Sequence, residues 1–168
     1  MKKYIGFFLL ILSVALISGC SANSEDSLDV KELVSYYSGN TSSEEEAWIT
    51  ATDLYVKKGL VETRYPLPKD EFFVSIAPYI NNTHPCDNHF LTGCQGELSN
   101  EEFTVIVKDN GEEIINEVLE TGSNGFIDLW LPRNKKFEIT IKYGEKIAQS
   151  KLTTYANSRT CITTLKLE

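Results

Sequence analysis

His84, Cys86, His89 and Cys94 fall within the single stretch His84-Pro85-Cys86-Asp87-Asn88-His89-Phe90-Leu91-Thr92-Gly93-Cys94, and a further cysteine, Cys161, stands near the end of the 168-residue chain. Thiolate and imidazole are soft to borderline donors, so this grouping suits copper(I) first and zinc second. Calcium or magnesium would ask for carboxylates, and no Asp-x-Asp-x-Asp-Gly loop occurs. Spacing separates the two soft ions. Structural zinc sites close with four ligands, commonly as Cys-x-x-Cys pairs, whereas seven residues lie between Cys86 and Cys94 and only Cys86-x-x-His89 is tight. Three thiolates satisfy copper(I) without a fourth donor. The same spacing admits a loop disulfide, which on oxidation would join Cys86 to Cys94 and leave Cys161 as a buried free thiol. Taken one by one, His84 and His89 read as solvated or turn residues of a loop.

The first twenty residues bear on the cysteine count. Lys2 and Lys3 form a basic start, Tyr4 to Ile17 an apolar run, and Ile17-Ser18-Gly19-Cys20 a small-residue cleavage site. The pattern resembles a bacterial lipoprotein signal with its lipobox. It predicts removal of residues 1–19 and a lipid-bearing Cys20 at the new N-terminus, anchored by two or more acyl chains on the extracytoplasmic face of a bacterial cell membrane. Cys20 is then an anchor rather than a ligand. Cys86, Cys94 and Cys161 remain, an odd number for an exported chain, so at least one thiol stays free, pairs outside the chain or joins the others around a metal.

Loss of Lys2 and Lys3 carries the formal charge from −8 to −10. So acidic a chain lacks the clustered Lys and Arg that displace counterions from nucleic acid. It also lacks a polybasic grip on anionic lipid, so membrane contact runs through the lipid alone.

These ligands must be held by a scaffold. Residues 20–27 are small and polar and read as a tether. Asp29 with Glu32, flanked by Leu28 and Leu33 and closed by Gly39, predicts a short helix over 30–38. Ser43 with Glu46, before Trp48, Ala51 and Tyr55 at helical spacing, predicts a second helix ending at Gly59, with Glu44, Glu45 and Glu46 in its first turn. Residues 28–66 thus form a small helical N-terminal segment. From Phe72 the period becomes two: Phe72, Val74 and Ile76; Phe103, Val105 and Val107; Phe137, Ile139, Ile141 and Tyr143. Turn signals at Asp109-Asn110-Gly111, Gly122 to Gly125, Pro132 to Lys135 and Gly144 separate these runs. The fold class is mainly β, an antiparallel β-sandwich over 67–168 of prealbumin-like or immunoglobulin-like type. Alternation puts Cys161 on one face with Leu165 and Leu167, pointing inward at a strand end where it can meet the 84–94 loop.

Residues 67–98, from Leu67-Pro68-Lys69-Asp70 through the ligand loop to Gln95-Gly96-Glu97-Leu98, resemble the CueP family of extracytoplasmic copper-binding proteins. So do Asn124-Gly125-Phe126-Ile127-Asp128-Leu129-Trp130-Leu131-Pro132-Arg133 and Thr160-Cys161-Ile162-Thr163-Thr164-Leu165-Lys166-Leu167. The resemblance implies copper held through Cys86, Cys94 and Cys161 by a carrier that serves copper tolerance and supply. A copper-accepting protein and a homodimer are the protein partners it brings into view. On this reading His84 and His89 capture incoming ions or bind a second one. The competing reading is a disulfide-stapled sandwich serving as a surface interaction module without metal. With two histidines in one loop and neither Gly-x-Ser-x-Gly nor His-Glu-x-x-His, catalysis has little support beyond stoichiometric reduction of copper(II) by the thiols.

Overall fold

The computed structural model describes residues 29–40 and 44–168; the signal segment, Cys20, the tether and Ser43 lie outside the described residues. Helix α1 (Val30–Gly39) starts where the capping signal places it, with the Asp29 carboxylate accepting from the backbone N–H of Lys31 at 2.9 Å. The expected second helix is not formed. Its residues build an antiparallel hairpin, β1 (Glu46–Ile49) and β2 (Asp53–Lys58), continued by β3 (Val61–Pro66). The hydroxyl of Thr50 accepts from the Asp53 N–H and closes the β1–β2 turn. The acidic run therefore serves strands: Glu45 pairs with Lys58 and accepts from the Tyr37 hydroxyl, and Glu46 pairs with Lys57.

The remaining strands are β4 (Glu71–Ile76), β5 (His89–Phe90), β6 (Glu102–Asp109), β7 (Glu112–Glu120), β8 (Ile127–Pro132), β9 (Lys136–Tyr143), β10 (Lys146–Thr153) and β11 (Cys161–Ile162). They form three sheets, ordered β3-β2-β1-β5, β10-β9-β6-β7 and β11-β4-β8. The β6–β7 hairpin turns on Asn110 and Gly111, both at positive φ (50° and 89°), as the Asn-Gly signal requires. Strand β11 lies parallel to β4, an isolated bridge between Tyr79 and Lys166 continues in the same sense, and the other strand pairings are antiparallel.

Strand β4 is shared by two cores. Phe72, Val74 and Ile76 enter the sandwich with Phe103, Val105, Phe137, Ile139 and Ile141. The intervening Phe73 faces the other way and packs with Val34 and Tyr37 of α1, Ala47 and Ile49 of β1, Leu54 and Val56 of β2, and Leu91. A strand buried on both faces reads as a near-continuous apolar run, which Phe72-Phe73-Val74 is. The N-terminal residues thus cover one face of the β11-β4-β8 sheet, and the β10-β9-β6-β7 sheet covers the other.

Candidate metal centre

The ligand loop is fixed at two points. Its middle becomes β5, which pairs with the edge of β1 through Trp48 opposite Phe90 and Ile49 opposite His89. A tight turn follows, in which the N–H groups of Gly93 and Cys94 both donate to the Phe90 carbonyl, at 3.0 and 2.8 Å. Gly93 is required there, because a Cβ would lie 2.1 Å from the Phe90 ring. Gly96 and Gly125 pass so closely that a Cβ on either would strike the other's backbone, which brings Phe126 beneath the loop.

Cys161 arrives on β11 opposite Ser75 of β4. It is fully buried, as its alternation predicts, and Leu165 and Leu167 are buried too. The regular strand nevertheless ends at Ile162, so Leu165 and Leu167 join the sandwich core while Cys161 packs with Ala77 and Phe126, next to Cys86 and Cys94.

The donor atoms of Cys86, His89, Cys94 and Cys161 lie within 4.8 Å of one another. Cys86 and Cys161 are paired as a disulfide with Cα atoms 5.6 Å apart, and the Cys94 sulfur is 3.5 Å from that of Cys86. The pairing corrects the expectation that Cys86 and Cys94, neighbours in one loop, would be the pair that closes on oxidation. The β5 and Phe90 turns hold Cys94 beside Cys86, while β11 delivers Cys161 from a distance of 75 residues in the chain.

His89 also departs from its sequence reading. It is fully buried rather than solvated, with its ring tilted against those of Phe126 at 4.4 Å and Phe73 at 6.4 Å. Neither of its ring nitrogens has a hydrogen-bond partner. Buried polar atoms are seldom left in that state, and those that are call for an ion, a water or a functional role. Burial, with the nearby His84 adding to it, pushes the His89 pKa down to about 3. The imidazole is therefore neutral at ordinary pH, with a lone pair free for a cation. Burial also raises the Cys94 thiol above its usual range, a backbone hydrogen bond from Phe90 pulling the other way, so a metal must displace a proton there.

His84 is not brought into this group. It is half-buried, edge-on to Phe126 at 6.3 Å, and lines an open cleft of about 460 Å³ that Cys86 and Cys161 also line. Asp87 and Arg159 form an ion pair at 2.8 Å on the same cleft.

With the Cys86–Cys161 bond reduced, three sulfurs and one neutral imidazole, shielded by Phe126, Ala77 and Phe73, fit a soft monovalent or borderline divalent ion. Sequence reasoning missed that β1 positions this site. The signal was there in the alternate Ala47 and Ile49, but the helical spacing of Trp48, Ala51 and Tyr55 overlies it.

The family described as periplasmic copper-binding protein CueP matches residues 30–166. The crystal structure of S.CueP superposes on the chain with a TM-score of 0.81 at 38% identity, over 85% of this chain and 91% of that one. No curated protein matches it.

Proposed function

The chain belongs to the CueP family, and we propose that it is a membrane-tethered copper carrier that holds copper(I) through the thiolates of Cys86, Cys94 and Cys161, with His89 as a fourth donor. The observation that carries the reading is the His89 imidazole, buried without a partner for either nitrogen and within 4.8 Å of the three sulfurs. A stapled module without metal gives no reason to bury that ring beside thiols. Three cysteines and one histidine would also suit structural zinc. Copper is preferred because the family binds it and because softer thiolate sets favour copper(I). His84, on the cleft but outside the donor group, receives incoming ions.

The disulfide gives the oxidised state of the same site. With Cys86 and Cys161 joined, two of the four donors are spent, so oxidation releases the ion. Copper(II) can itself drive that oxidation: as the S–S bond forms, the two thiolates give up two electrons and reduce two copper(II) ions to copper(I). Copper supply to an acceptor protein and copper tolerance outside the cytoplasm follow from a carrier whose hold depends on thiol state. Lipid on Cys20 would keep it at the membrane.

The test is anaerobic copper(I) titration of the reduced chain lacking residues 1–19 against a chromophoric competitor. About one ion per chain is expected, held in preference to zinc. Cys86→Ser, Cys94→Ser, Cys161→Ser and His89→Ala should each weaken binding by roughly ten- to a hundredfold or more, whereas His84→Ala should slow loading and leave affinity close to wild type. Equal competition from zinc at matched free concentrations would remove copper from the reading.

A further inference from the structure

Thr160, adjacent to Cys161, is fully buried, and its backbone and hydroxyl groups are all engaged by segments that carry the metal donors or support them. Its hydroxyl donates to the Ile49 carbonyl of β1 at 2.8 Å and accepts the His89 N–H of β5 at 2.9 Å. Its backbone N–H donates to the Asp87 carbonyl, between Cys86 and His89, at 3.1 Å, and its own carbonyl accepts from Ser75 of β4 at 2.8 Å. The Cys161 N–H shares the Asp87 carbonyl at 3.2 Å. Cys86 and His89 sit in the ligand loop, Cys161 comes 75 residues after Cys86, and the bonds of Thr160 join β1, β4 and that loop at one point.

We infer that Thr160 is the positioning residue of the metal centre, whose hydroxyl sets the distance between His89 and Cys161 by tying both to the edge of β1. This rests on the copper reading above for its functional consequence. Thr160 does not touch the ion; it acts through the backbone of the residues that do. A donor set spread over two segments 75 residues apart binds tightly only if its spacing is fixed before the ion arrives, and groups that orient ligands typically govern tenfold to a hundredfold in metal affinity.

A matched control exists in the same molecule. Thr154 is also fully buried, donates to the Pro132 carbonyl at 2.8 Å and accepts the Lys135 N–H at 3.0 Å. Pro132 pairs with Glu71, whereas Cys161 pairs with Ser75, so the two threonines serve sites about 13 Å apart along β4 by the rise of a strand.

The experiment compares Thr160→Val, Thr160→Ser and Thr154→Val in the chain from Cys20 onward, reading copper(I) affinity of the reduced protein and, without copper, hydrogen exchange of the His89 amide. Thr160→Val should lose roughly tenfold or more in affinity and at least tenfold in His89 amide protection. Thr160→Ser, which keeps the hydroxyl, should stay close to wild type in both, and Thr154→Val should leave both unchanged while lowering thermal stability. Unchanged affinity in Thr160→Val, or an equal loss in Thr154→Val, overturns the inference. If the wild-type chain binds no copper(I), the functional reading fails, and the amide arm still decides the positioning role: unchanged His89 protection in Thr160→Val overturns it. Should Thr160→Val not fold, Thr160→Ser carries the test against Thr160→Ala, and indistinguishable affinities in those two overturn it equally.

Discussion

At the scale of single residues, His89 is the side chain on which chemistry and stability meet. Its ring sits between two aromatic rings with both nitrogens unpartnered, a costly arrangement in the apo protein because buried polar groups without hydrogen bonds are penalised. A metal bonded to one nitrogen removes part of that cost. The depressed pKa fixes the sign of a pH effect. Between about 6.5, where the unfolded chain takes up the proton, and about 3, where the folded chain does, the unfolded state binds more protons. Apo-protein stability should therefore fall as pH falls through that window, by roughly 1.4 kcal/mol per pH unit from this residue. Asp128 acts with the opposite sign, since burial raises its pKa despite hydrogen bonds from Ser38 and Ser75 and favours the folded state at low pH. The two separate by difference: denaturant melts of wild type and His89→Phe between pH 4 and 6.5 should diverge, with the flatter profile in the variant. Parallel profiles would mean that His89 is not the buried neutral group described.

At the scale of elements, the sandwich strands were legible because each buries one face and alternates cleanly: the sequence runs at 72–76, 103–107 and 137–143 match β4, β6 and β9 within a few residues. The first helix was legible from its cap. The β1–β2 hairpin was not, since Trp48, Ala51 and Tyr55 are three and four apart and mimic a helix face, while tertiary pairing decides otherwise. Trp48 and Tyr55 face each other across the hairpin, stacked at 5.3 Å, with Phe90 on the far side of Trp48 at 6.5 Å. For the site, the residue types and the meeting of Cys161 with the loop could be read from sequence. Which cysteines pair could not, because it depends on β11 lying parallel to β4. Phe73 joins the N-terminal elements to the sandwich and stands beside His89, so Phe73→Ala should cost about 3–5 kcal/mol in urea unfolding. It should also weaken copper(I) binding, because the ring that confines the imidazole is gone. A cost below about 1 kcal/mol would show that the two cores are not coupled through this residue.

At the scale of the whole molecule, the proposed carrier is an acidic β-rich body tied to a membrane through lipid on Cys20, with its cargo governed by thiol state. Cys20→Ser should block lipoprotein processing and leave residues 1–19 attached without lipid, while the body still folds. Wild-type protein in the aqueous phase of a detergent partition would remove the tether. Among the described residues no helix is long and apolar enough to cross a membrane. One stepwise oxidation decides whether copper(I) is held by the thiols of Cys86, Cys94 and Cys161 and let go when Cys86 and Cys161 close. Reduced, copper-loaded protein is oxidised under anaerobic exchange with increasing disulfide reagent, and bound copper, free thiols and the Cys86–Cys161 linkage are followed together by metal analysis, alkylation and peptide mapping. Copper should leave in step with formation of the Cys86–Cys161 bond, with Cys94 becoming open to alkylation as it does. Copper retained at full stoichiometry after that bond has closed would contradict the thiolate carrier.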